Sequence, residues 1–311
     1  MRPSDAARLV ALGAIWGSSF LFIEVALEDL TPLQIVFGRI ATGAVFLTAL
    51  LFARAERLPR GRELYRSLTV MAVVSSVAPF ILIAWGQQEV SSSLASILNS
   101  TTPLCTALLA AIFIQSERLR PARLAGVILG FAGVGVIVGL DAAGSTAGKI
   151  AIILASASYA GGFVYARRNL VGLDLSPLAI PATQLLIATA MALPLVLVDT
   201  LQTPPTLSLG AIGSIGFLGV LGSGVAYMLY YRLISDVGAT TSSFVTYLIP
   251  IFGVTLGAVL LDEELGLNVL VGALLVIAGI ALAELSARRT TPTASAGGVD
   301  CATEPSETTV H

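Results

Sequence analysis

The feature that most constrains this chain is an apolar run of about twenty residues that recurs along nearly its whole length. A helix of that length spans the ~30 Å hydrocarbon layer of a bilayer. With 56% hydrophobic and 12% charged residues and a mean hydropathy of +0.90, the chain has more apolar surface than one water-soluble core could bury. A bilayer must supply the missing contact. Hydropathy places spans near Arg8 to Leu27, Pro32 to Phe52, Leu68 to Gln87, Ser93 to Gln115, Arg123 to Leu140, Lys149 to Arg167, Ser176 to Val198, Leu209 to Tyr231, Ala239 to Leu261 and Leu267 to Leu285. The first run passes Phe20 without a small-residue cleavage pattern and ends at Glu28 and Asp29, so it reads as a retained span and not as a signal peptide. The expectation is an all-α membrane protein of ten transmembrane helices.

Charge placement orients these spans, because cytoplasmic loops retain Lys and Arg. Arg2, Arg8, Arg54, Arg57, Arg60, Arg62, Arg66, Arg118, Arg120, Arg123, Arg167, Arg168, Arg232, Arg288 and Arg289 fall on one side, which is fifteen of the 17 basic residues. The other side holds only Lys149, with Glu28, Asp29, Glu89, Asp199, Asp262 and Glu263 in its remaining loops. Both termini are therefore expected in the cytoplasm of a cell whose inner membrane holds the protein. The Ser, Thr and Pro content of residues 288–311 marks a disordered cytoplasmic tail.

A shift of roughly 145 positions brings the two halves into line. Pro103, Glu117, Gly126 and Gly133 recur as Pro250, Glu264, Gly272 and Gly279, and proline to glutamate is fourteen residues in both copies. Residues 14–20 face residues 157–163, and Thr31-Pro32 faces Ser176-Pro177. The organisation read from this is a first repeat over residues 1–142 and a second over 143–287. Five spans per half is an odd number, so the second copy enters the membrane from the opposite side. Inverted repeats of this kind suit secondary transporters, whose halves rock around a midplane site.

Several chemistries are excluded. Cys105 lies in an apolar run and Cys301 in the tail, so they form neither a disulfide framework nor a metal-ligand pattern. The single histidine is the terminal His311, which removes His-based triads, zinc sites and histidine proton relays. There is no G-x-S-x-G and no phosphate-binding GK[ST] loop. No enzymatic activity, cofactor, metal or nucleic-acid partner is expected; the partners are the lipid bilayer and a small-molecule substrate.

Two ionisable residues lie well inside spans, Glu24 and Arg39, and such charges are costly enough in hydrocarbon to be functional candidates. Similar depth lets them form an ion pair between the first two helices; alternatively they gate the outer face, or Arg39 contacts a substrate carboxylate. Gln184 occupies the place of Arg39 in the second copy. Asn99, Ser100 and Thr102 before Pro103, matched by Thr246, Tyr247 and Ile249 before Pro250, sit where a proline frees a backbone carbonyl that could face a cavity. Gly126, Gly130 and Gly133 share one helix face, repeated by Gly272 and Gly279, which serves close packing within the chain or a homodimer. Glu117 and Glu264 are placed to accept hydrogen bonds from the amides at the start of the helix that follows each.

Trp16-Gly17-Ser18-Ser19-Phe20, Arg39, the Pro103 to Glu117 helix, Leu124-Ala125-Gly126, Ala132-Gly133-Val134 and the second copy through Pro250, Glu264, Gly272 and Ala278-Gly279-Ile280 resemble the EamA-type branch of the drug/metabolite transporter superfamily. The resemblance runs from about Ala7 to Leu285. It implies two five-helix repeats around a central cavity, with the fifth and tenth helices at the periphery. Trp16, Phe20, Tyr159 and Phe163 would then line the path beside Ser18, Ser19 and Ser158, with Asn99, Tyr227 and Tyr247 as further contacts and Trp85 and Tyr230 as weaker candidates. The implied function is export of amino acids, aromatic or hydrophobic, and related metabolites by alternating access. A carrier for another metabolite or drug, a channel and an intramembrane enzyme are the alternatives.

Overall fold

A computed structural model describes residues 2–114, 121–139, 145–170, 176, 178–237, 242 and 245–288. Glu117, Pro177, Cys301, His311 and the tail from 289 onward lie outside them. Among the described residues the chain is all-helical: eight helices are long and apolar enough to cross a membrane, and two further apolar helices are shorter. In chain order they are α1 (Pro3–Leu27), α2 (Pro32–Ala53), α3 (Arg62–Gly86), α4 (Ser92–Phe113), α5 (Pro121–Gly139), α6 (Thr146–Asn169), α7 (Ala179–Gln202), α8 (209–237), α9 (Val245–Leu260) and α10 (Leu267–Arg288).

Helices α1 and α3 start five to six residues earlier than hydropathy alone indicates. Helical hydrogen bonding continues past the apolar stretch, and Pro3 suits the first turn because its missing N–H has no partner there anyway. Gly61, at φ 118, supplies the backbone conformation that turns the chain into α3. The N-terminus of α2 is fixed by a capping box, in which the Thr31 hydroxyl accepts from the Gln34 amide and the Gln34 side chain accepts from the Thr31 amide.

The loops at 28–31, 87–91, 203–208 and 261–266 gather at one end. Thr31 Oγ1 donates to Asp199 Oδ2 at 2.5 Å, Gln34 Nε2 donates to the Thr203 carbonyl at 2.7 Å, and Ser208 donates to Asp29. The opposite end is tied by Arg8 Nη1 donating to Asp236 Oδ2 at 2.5 Å, by the Ser176 hydroxyl donating to Glu56, and by Tyr165 OH with Ser67 Oγ at 3.4 Å.

Backbones approach closely where glycines line the contacts. A Cβ on Gly126 would sit 2.7 Å from the Gly279 carbonyl, and one on Gly133 would sit 2.7 Å from the Gly272 carbonyl, so α5 and α10 run antiparallel face to face. The glycine stripe thus packs inside the chain, and it is not a face left open for a second copy. This pair touches the remaining bundle mainly through α4. All ten helices contribute to one large buried core, α5 through Val127, Val134 and Ile137 and α10 through Val269, Val276 and Ile280. Outward faces carry exposed Ile128, Leu154, Leu197, Val259 and Leu274, an apolar exterior that suits acyl chains.

Candidate functional site

Two of the helices are not regular. In α3 the stretch Val73–Val77 is π-helical, and in α8 the same holds for Phe217–Val225. The extra residue per turn in a π segment re-aims backbone carbonyls and side chains. Each segment receives two side chains from neighbouring helices, and the sets correspond. Into α8, Trp16 Nε1 donates to the Gly222 carbonyl at 3.2 Å and Arg39 Nε donates to Ser223 Oγ at 3.3 Å. Into α3, Ser158 Oγ donates to the Val74 carbonyl at 2.8 Å and Gln184 Nε2 donates to Ser76 Oγ at 2.9 Å. Arg39 and Gln184 are counterparts in the sequence repeat, while Ser158 precedes Tyr159, the counterpart of Trp16.

Close backbone approach makes these contacts reachable. A Cβ on Gly219 would lie 2.9 Å from the Arg39 carbonyl, and one on Gly222 would lie 3.4 Å from Ser19 Oγ and 3.8 Å from Arg39 Nη2. Any larger residue at 219 would push α8 off α2 and draw Ser223 away from the guanidinium.

Arg39 is 8% exposed. Its guanidinium carbon stands 3.9 Å over the Phe80 ring, a cation–π contact. Tyr159 and Tyr227 lie within electrostatic reach of the charge, and Tyr159 meets Phe80 edge-on with ring centroids 6.4 Å apart. Trp16 packs against Tyr230 at 5.4 Å.

The expected pairing of Glu24 with Arg39 is not formed. Glu24 Oε2 accepts from Gln87 Nε2 at 3.2 Å, and the same amide donates to the Phe20 carbonyl at 2.9 Å. Arg39 points toward α8 and α3, while Glu24 is held by Gln87 at the end of α3. Their separate partners make Gln87 and Ser223 site residues that sequence reasoning missed.

Among the other expected contacts, Ser19 Oγ donates back to the Ile15 carbonyl at 3.2 Å and Ser18 Oγ to the Ala14 carbonyl at 2.5 Å. Phe20 is buried in the core, and Tyr247 is partly buried against it. Phe163 and Trp85 are exposed and have no ring partner among the described residues.

Helix α4 breaks after Asn99 and resumes at Thr102, because Pro103 cannot donate to the Asn99 carbonyl. That carbonyl is not left to a cavity: Thr102 Oγ1 donates to it at 2.7 Å and Ser156 Oγ at 3.3 Å. The Asn99 side-chain oxygen, by contrast, is buried with no hydrogen-bond partner.

The expected glutamate cap falls on a neighbouring residue. Asp262 takes a left-handed φ of 52, which turns Glu263 back so that its carboxylate accepts from the Ser92 and Ser93 amides at 2.8 and 2.9 Å. Glu263, and not Glu264, caps a helix, and the helix is α4 rather than the one that follows.

The model of the EamA-like transporter family matches residues 7–139 and again 146–285. The inner membrane transporter YedA of Escherichia coli K12 is 28% identical over 263 residues, covering 83% of each chain. YoaV of Bacillus subtilis, named as a transporter, is 22% identical over 276 residues, with 88% of this chain and 94% of that one covered. A protein of Streptantibioticus cattleyicolor named as a probable terminal-alkyne amino-acid exporter is 27% identical over 289 residues, covering 91% and 94%. One solved crystal structure has a TM-score of 0.64 at 19% identity, covering 93% of this chain and 99% of its own.

Proposed function

Because the chain belongs to the EamA-like transporter family of the drug/metabolite transporter superfamily, we propose that this multi-pass membrane protein is a secondary carrier that exports amino acids by alternating access. Aromatic and hydrophobic amino acids, with related small metabolites, are its cargo; another metabolite or drug is the second reading. Family and relatives alike are transporters and not enzymes.

One observation carries the mechanism: the two halves make corresponding contacts with each other's π-helical segments. Trp16 and Arg39 reach into α8 as Ser158 and Gln184 reach into α3. The same reciprocity supports latches at both ends. Thr31, at the start of α2, donates to Asp199 near the end of α7, and Ser176, before α7, donates to Glu56 just beyond α2. Such exchange is what two inverted five-helix halves, residues 1–142 and 143–287, would produce. It supplies two near-equivalent packings, one open to each face. The arginine-rich loops support cytoplasmic termini, and the name of the Escherichia coli relative supports the inner membrane.

Trp16, Ser19, Phe20, Asn99, Tyr159, Phe163, Tyr227 and Tyr247 are the proposed lining, with Glu24 and Arg39 as polar groups at the site. Arg39 and Trp16 have the strongest geometric support, since both donate into α8, and Tyr159 meets the Phe80 ring that covers Arg39. Glu24 is the in-span carboxylate available to a coupled proton, so export either runs downhill or exchanges with protons.

Proteoliposomes loaded with radiolabelled amino acids, with and without a pH gradient, test this. Saturable flux that accelerates when unlabelled substrate is added on the far side is the expected result. Linear, unsaturable flux would indicate a channel, and no flux of any amino acid would reject the cargo.

A further inference from the structure

Two buried polar groups lack, among the described residues, partners of the kind their chemistry needs. Arg39 forms no ion pair among the described residues: its polar partner is the neutral Ser223 hydroxyl, and Glu24 is held by Gln87. A guanidinium buried without a counter-charge is a heavy burden in an apolar interior. The side-chain oxygen of Asn99 is a buried acceptor with no donor among the described residues. Helix α6 links the two places. Ser156 on α6 donates to the backbone carbonyl of Asn99, and Tyr159, one turn further along the same helix, meets edge-on the Phe80 ring that covers Arg39.

The contrast with the second copy sharpens the point. Gln184 is as deeply buried as Arg39, yet it is neutral and bonded to Ser76. The charge at position 39 is thus not required by the shared scaffold.

We propose that Arg39 and Asn99 read the two ends of a zwitterion, the guanidinium taking the carboxylate of an α-amino acid and the Asn99 side-chain oxygen taking a proton of its ammonium group. Phe80 and Tyr159, beside the charge, supply the apolar wall for the amino acid side chain. This rests on the carrier reading above and adds which groups of the cargo the site selects.

The test uses the full chain in proteoliposomes, with labelled phenylalanine and leucine as probes. Each is competed by its analogue without the ammonium group (3-phenylpropionate, 4-methylpentanoate) and by its analogue without the carboxylate (2-phenylethylamine, 3-methylbutylamine). Expected in the wild type is strong competition by the carboxylates and none by the amines. Arg39→Gln lowers amino acid uptake at least about tenfold, as truncating one side of a buried charge pair does, whereas Arg39→Lys retains part of it. Asn99→Leu weakens the amino acids and leaves competition by the des-amino analogues unchanged.

Amines that compete as well as carboxylates overturn the proposal, as does an Arg39→Gln protein that discriminates like the wild type. Should Arg39→Gln fail to fold, the wild-type competition series decides alone. A wild type that moves amines or neutral solutes but no carboxylate leaves a carrier and defeats the zwitterion site, while one that moves no organic solute defeats the carrier reading itself.

Discussion

The π segments of α3 and α8, five and nine residues long, each seat a side chain from a neighbouring helix on a serine, but their polar seats are occupied differently. In α3 the seat at Ser76 holds a neutral amide at 2.9 Å, with its hydrogen bond satisfied. In α8 the seat at Ser223 holds a guanidinium at 3.3 Å, covered by the Phe80 ring and without a carboxylate. The backbone device is shared; the charge is not. A scaffold whose halves are interchangeable in packing can still hold a cargo in one orientation, because the chemistry of binding sits in side chains that the repeat does not duplicate.

The sharpest way to break this contrast is to charge both seats. Gln184→Arg places a second unmatched cation among residues that are buried and neutral, and it should cost ~3 kcal/mol. A fall in the thermal unfolding midpoint of the purified protein in detergent would register it, and an unchanged midpoint would mean that the α3 seat tolerates charge as the α8 seat does. Removing the hydroxyl from each seat comes next. Ser223→Ala takes a hydrogen bond from a charged group and should cost ~2 kcal/mol, whereas Ser76→Ala takes one from a neutral amide and should cost ~1 kcal/mol. Denaturation of the two variants side by side measures the difference; equal losses would erase the distinction between the seats. The smallest effect is expected at the latches. Asp199→Ala and Glu56→Ala each remove one part-buried hydrogen bond, about 1 kcal/mol, from one end and leave the Thr31 cap in place, so the first should favour opening at the Asp199 end and the second at the Glu56 end. Transport rates measured from each face of oriented vesicles should therefore move in opposite senses.

Much of this architecture is legible in the sequence. Apolar length gives the helices, the glycine spacing marks close-packing faces on α5 and α10 without naming their partners, and the repeat aligns Arg39 with Gln184. The site itself is less legible, for identifiable reasons. A π segment leaves hydropathy unchanged, so Val73–Val77 and Phe217–Val225 read as ordinary span residues. Ser76 and Ser223 look like any buried serine until the partner helix is in place. Glu24 and Arg39 lie at similar depth, but depth does not fix the direction around a helix axis, and their partners turn out to be Gln87 and Ser223. Glu263 shows the same problem at a helix end: the left-handed Asp262 decides which of two adjacent glutamates reaches Ser92 and Ser93.

The central claim is that the two halves cross the bilayer in opposite senses. Single cysteines at exposed positions test it most directly, in a background in which Cys105 and Cys301 are replaced by serine. With a membrane-impermeant thiol reagent on intact cells, Glu89→Cys and Pro205→Cys should label at once, while Arg60→Cys and Arg168→Cys should label only after permeabilisation. Labelling of Pro205→Cys and its repeat counterpart Arg60→Cys from the same side would contradict the inverted arrangement and the alternating carrier built on it.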